Sequence, residues 1–121
     1  MHTNTRPRAS RQEVEALLAR FAATKRGVEI EQIAARLGAS GDRDAVRPLL
    51  ASLCDQRIQA DPHAENAVCD ALVALDVMRP VGEGSYALQP RYRLGPDVSR
   101  TIADLGAAMP LRYLIGGSLA S

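Results

Sequence analysis

The apolar residues between positions 68 and 94 change period once, and that change limits what the chain can fold into. Val68, Leu72 and Leu75, with Ala71 and Met78, recur at helical intervals, so residues 68–78 are predicted to form an amphipathic helix. Further on, Tyr86, Leu88, Pro90, Tyr92 and Leu94 alternate with Ala87, Gln89, Arg91 and Arg93. Such alternation predicts a strand with one buried and one wet face. Residues 77–81 supply a short partner, and Gly82 and Gly84 supply the turn. Pro90 has no N–H for a ladder, so the strand lies at an edge or bends there. The expectation is a mainly α chain with a small β-hairpin.

The upstream segments read as helices. Ser10 and Glu13 have capping-box spacing, and Val14, Leu17, Leu18, Phe21 and Ala22 follow the amphipathic rule, predicting a helix over 11–25 closed by Gly27. Ile30, Ile33, Ala34 and Leu37 predict a second helix over 29–37, closed by Gly38. The small Ala34 and the glycine after Leu37 allow another helix to cross closely there. Val46, Leu49, Leu50, Leu53, Cys54 and Ile58 predict a third helix over 47–58. It begins near Arg47 because Pro48 is tolerated only in a first turn. Asp61-Pro62 starts a fourth helix, and Gly95-Pro96 a fifth, lined by Val98, Ile102, Leu105 and Met109. Pro110 interrupts it, and an apolar segment comes after.

With 121 residues, the chain is long enough for one domain. Three parts are expected: a disordered basic arm over 1–10, the domain over 11–109, and an apolar C-terminal segment over 110–121. With no Trp, one Phe and three Tyr, the core must be built from Leu, Ile, Val and Ala, which suits packed helices. The first ten residues have no apolar run of the signal-peptide kind, and no segment approaches the roughly 20 apolar residues a membrane span needs. A soluble, cytoplasmic chain of bacterial type is the expectation. Cys54 and Cys69, set among apolar neighbours, are expected to be buried free thiols.

No residue pattern points to catalysis. His2, Cys54, His63 and Cys69 lack zinc-site spacing, so no metal or cofactor is expected. Gly82-Glu83-Gly84 lies between strands rather than before a helix, unlike a phosphate loop. Asp70 and Asp76, six residues apart, do not share a helix face. The chain is expected not to be an enzyme.

The string ALVALDVMRPVGEGSYALQP at 71–90 resembles the wing of bacterial winged helix-turn-helix proteins, in which a Leu-x-x-Leu helix leads into a hairpin of the form G-x-Y-x-L. Leu72, Leu75, Gly84, Tyr86 and Leu88 occupy those positions, and VEIEQIAARLGAS at 28–40 is similar to the first helix of a helix-turn-helix. Two groups share this form: small transcription regulators, and the N-terminal dimerisation domain of class I O-methyltransferases. The resemblance implies a winged-helix-like fold of about five helices plus a two-stranded wing. The helix over 47–58 is extra to the usual arrangement, so either it or the next helix would hold the recognition position. No glycine-rich cofactor loop accompanies the module.

Charge is distributed unevenly. Residues 1–11 carry +3, residues 12–76 carry seven basic and eleven acidic side chains, and residues 77–121 carry five basic and three acidic. DNA affinity comes largely from Lys and Arg on phosphates. The candidate DNA contacts are therefore Arg6 and Arg8 in the arm, Arg43 and Arg47 at the start of the third helix, and Arg79, Arg91 and Arg93 on the wing. Against DNA, residues 62–76 contain Glu65, Asp70 and Asp76 and no Lys or Arg. The rival partner is protein, with Leu111, Leu114, Ile115 and Leu119 as the candidate interface. By analogy with how this architecture is used, a homodimeric regulator that binds duplex DNA is the leading expectation. A protein-interaction or dimerisation module that does not bind DNA is the alternative.

Overall fold

A computed structural model describes residues 10–115. Its first helix, α1 (Arg11–Ala23), opens on the expected capping box. The Glu13 N–H donates to Ser10 Oγ at 3.2 Å, and the Ser10 N–H donates to Glu13 Oε1 at 2.9 Å. Val14, Leu17 and Phe21 form its buried face.

Gly27 does not close α1; it is the first residue of α2 (Gly27–Ser40). Thr24 makes the break instead. It caps α1 in an extended conformation, accepts from the Arg26 N–H at 3.2 Å, and donates its hydroxyl to Glu29 in the next helix. Gly38 likewise does not end α2, whose C-cap is Gly41, in the left-handed region at φ 71°. Gly38 is buried mid-helix because another helix crosses there. A Cβ at that position would stand 2.8 Å from Ala71 Cα, closer than real atoms approach. The small residues at 34 and 38 make the close crossing expected, and the helix that crosses is the one carrying Ala71.

The expected helix over 47–58 is broken. A 3-10 turn at Arg43–Ala45 leads into α3 (Val46–Ser52), then α4 (Gln56–Gln59). Asp55 causes the break, its side chain accepting from the Arg57 N–H at 2.8 Å and so starting a new helix. Pro48 lies in the first turn of α3, where its missing N–H costs nothing.

Helix α5 (Pro62–Ala74) has Asp61 as its N-cap and Pro62 at its first position. It ends at Ala74, short of the Met78 to which the helical pattern is expected to run. Asp76 adopts φ 63°, the Asp76 N–H donates to the Val73 carbonyl, and the Val77 N–H donates to the Leu72 carbonyl at 2.8 Å. That pair of bonds is a Schellman closure with aspartate in the usual glycine place. It turns the chain directly into β1 (Met78–Gly82), antiparallel to β2 (Ser85–Leu88), with Met78 opposite Leu88 and Pro80 opposite Tyr86.

The second strand stops at Leu88, not Leu94. The Gln89 N–H donates to the Val77 carbonyl at 2.9 Å, Pro90 has no N–H to continue, and the Arg93 N–H turns back to the Pro90 carbonyl at 2.9 Å. Residues 91–94 are therefore the first turn of α6 (Arg91–Leu105), which bends at Gly95 (φ 83°) before Pro96 starts its regular part. Arg91 and Arg93 lie on that turn rather than on the wet face of a strand. Within β2, Ala87 is the fully buried residue, and Tyr86 and Leu88 are half-buried. A 3-10 turn at Gly106–Ala108 and the extended Met109 lead into α7 (Leu111–Ile115), which packs on β2.

The core is aliphatic. Leu37, Leu49, Leu50, Leu53, Val68, Leu72 and Met78 are wholly buried where α2, α3, α5 and β1 meet. No helix among the described residues is long and apolar enough to cross a membrane.

Two substitutions test this account. Gly38→Ala gains helix propensity but forces α2 and α5 apart, so a net loss of about 1–3 kcal/mol is expected in urea unfolding. Asp76→Ala puts an intolerant residue at positive φ and should cost about 1–2 kcal/mol, while Asp76→Gly costs less.

Candidate functional site

Of the five predicted DNA-contact arginines among the described residues, three are engaged within the fold, two of them by carboxylates. Arg43 donates to the Leu75 carbonyl at the end of α5, so it ties α5 to the segment preceding α3. Arg47 donates to Thr101 Oγ1 at 3.2 Å and to Asp104 at 3.3 Å, joining α3 to α6. Arg93 donates to both oxygens of Asp76, at 3.0 and 3.1 Å, bracing the Schellman turn. Arg11 bridges Glu15, Asp42 and Asp44, and its pKa is raised chiefly by the hydrogen bond to Asp44. Arg57 pairs with Asp55 at 3.0 Å, which holds that carboxyl below its ordinary range. Arg6 and Arg8 lie outside the described residues.

Arg79 and Arg91 remain. Among the described residues neither has an acidic partner, and the fold brings them to one place. They stand over a cleft of about 340 Å³ between the open end of the hairpin, both parts of α6, and α7. Leu88, Leu94, Ile102 and Leu114 provide its apolar surface, and among the described residues no acidic one lines it. Tyr92, next to Arg91, is 86% exposed. A second cation pair, Arg20 and Arg36, flanks a cleft over Leu17 and Ile33, where both apolar residues are buried.

Helix α7 is held by a polar clamp that sequence periodicity gave no reason to expect. Tyr113 is buried and donates its hydroxyl to Glu65 Oε2 at 2.6 Å, and Arg112 pairs with the same carboxylate while lying 4.8 Å over the Tyr113 ring. Alongside, the Tyr86 hydroxyl donates to Asp70 Oδ1 at 2.6 Å. Burial and the Glu65 carboxylate push the Tyr113 hydroxyl up, and the Asp70 carboxylate pushes Tyr86 up to about 12. Both phenols stay protonated as donors. Burial pushes the Cys69 thiol up to about 12, which suppresses the thiolate a nucleophile needs.

With Tyr113 turned inward, α7 presents Leu111, 71% exposed, and Leu114, 43% exposed. These are two of the four leucine and isoleucine positions expected at an interface. Ile115 is the last residue of α7, and Leu119 lies outside the described residues. Among the described residues no group of three or more His, Cys, Asp or Glu is arranged to hold a metal ion. Comparison with known protein families, with curated proteins and with solved structures returns no match.

Both cysteines are free, Cys54 half-buried and Cys69 buried. A chromogenic disulfide reagent at mildly alkaline pH should therefore label Cys54 slowly in the native protein. Cys69 should react only after denaturant is added. Fast labelling of both thiols without denaturant would show that the clamp over Cys69 opens readily.

Proposed function

We propose that the chain is a non-catalytic protein-interaction module of winged-helix type that does not read DNA. Support for the winged-helix reading comes from α5, which crosses α2 at Gly38 and runs directly into the hairpin. On that reading α5 holds the recognition position, and the broken segment over α3 and α4 is an insertion between the two helices.

One observation carries the choice of partner. The exposed residues of α5 and its closing turn are Pro62, His63, Asn66, Asp70, Ala74 and Asp76, with no cation among them. Arg43, Arg47 and Arg93, which a DNA contact would use, are engaged with internal acceptors. A major groove is lined by phosphates, and a helix whose exposed charges are Asp70 and an Asp76 paired with Arg93 offers them no unpaired cation. What the surface offers instead is exposed tyrosine beside arginine, two residue types enriched at protein interfaces, with neighbouring leucines adding apolar area.

Titration of a fluorescein-labelled duplex in about 50 mM salt, where phosphate contacts are strongest, should give no saturable binding. A saturable isotherm that Arg79→Ala/Arg91→Ala abolishes would overturn the proposal and make the chain a DNA-binding regulator.

A further inference from the structure

The cleft beneath the hairpin has a composition that selects its occupant. Its apolar surface comes from Leu88, Leu94, Ile102 and Leu114, and its charged side chains are Arg79 and Arg91. Five of the described arginines, Arg11, Arg47, Arg57, Arg93 and Arg112, are in ion pairs, whereas the unpaired Arg20 and Arg36 flank a cleft whose apolar residues, Leu17 and Ile33, are buried. Among the described residues Arg79 and Arg91 also have no ion pair, and they stand on different elements at the rim of an apolar floor.

We propose that this cleft binds an acidic, leucine-containing segment of a partner protein. Its aliphatic side chain covers the floor, and one carboxylate reaches each of Arg79 and Arg91. This rests on the proposed interaction role and names the class of partner. Charge complementarity selects acid over base, and the apolar floor selects a peptide over a phosphate backbone, which has nothing to place on four aliphatic side chains. A second copy of this chain fits poorly. Its exposed leucines, Leu111 and Leu114, flank Arg112, whose one carboxylate partner, Glu65, is already taken up by Arg112 and Tyr113, so self-association through them would bring no free carboxylate to Arg79 and Arg91.

The test uses the full chain and a fluorescein-labelled peptide of about twelve residues with leucines flanked by glutamates, long enough for an amphipathic segment. Two control peptides replace every glutamate by glutamine or by lysine. Saturable binding of the acidic peptide alone is expected. Arg79→Gln and Arg91→Gln should each weaken it by up to roughly fivefold, the range of a partly exposed ion pair. Leu114→Ser should weaken it too, and Arg79→Glu/Arg91→Glu should transfer the preference to the lysine peptide. Melting curves matching the parent confirm that the variants are folded.

No saturable binding of the acidic peptide, or equal binding of acidic and glutamine peptides, overturns the proposal. Binding of the glutamine or lysine peptide that depends on Leu114 overturns it while leaving the interaction role intact. So does a dimer, seen by light scattering, that Leu114→Ser dissolves. Displacement of the acidic peptide by duplex DNA overturns both proposals together.

Discussion

The close crossing of α2 and α5 is the contact from which the rest of the structure is placed. At Gly38 the two backbones approach so nearly that even a methyl group has no room, and Ala71 is the small residue on the opposing side. Apolar side chains on either side of that point, Ile33, Ala34 and Leu37 from α2 and Val68 and Leu72 from α5, are removed from water together. Once α5 is held, the hairpin has its root. The Schellman closure of α5 sets the position of Val77, and Val77 supplies the last carbonyl that the second strand uses. The hairpin is thus an extension of α5, and two strands alone would not be stable without such support.

Electrostatics adds little to stability here but much to what the surface presents. The exposed ion pairs contribute little, because water screens them and two long side chains must be ordered for each. Their joint effect on the outward field is larger. Cations that would otherwise attract polyanions are neutralised within about one side-chain length, beyond which salt further screens what is left. A formal net charge of +1 therefore coexists with few unpaired cations in the predicted DNA-contact set. Position, rather than number, decides what an arginine can contact.

Much of the architecture was legible in the residue pattern. The capping box at Ser10, the apolar face of α1, proline opening α5 and the helix-to-hairpin switch all arise from local rules, and local rules are what a sequence carries. The errors have a common cause in tertiary contact or competing capping. Gly38 is a packing glycine rather than a terminator, which only the presence of Ala71 reveals. Asp55 outcompetes the apolar periodicity that runs across it from Leu53 to Ile58. The candidate arginines were identifiable as residues, but not as occupied, since Arg47 and Asp104 are 57 positions apart. Nothing in the spacing of Glu65 and Tyr113, 48 apart, announces that they meet.

The shortened strand shows how one such departure shapes the surface. Had alternation persisted to Leu94, Arg91 and Arg93 would have projected side by side from one face of a wing. Pro90 cannot extend the ladder, and the chain coils instead, so residues 91 and 93 point apart. Arg93 turns back to Asp76 and is tied to the hairpin's own root. Arg91 stays outside, across the cleft from Arg79, while Leu94 turns inward beneath them. Gly95 then kinks the backbone, and the regular part of α6 places Ile102 at the same cleft. A stripe of like charge is thereby converted into a cleft with an apolar floor and two separated cations, the feature on which the proposed choice of partner rests.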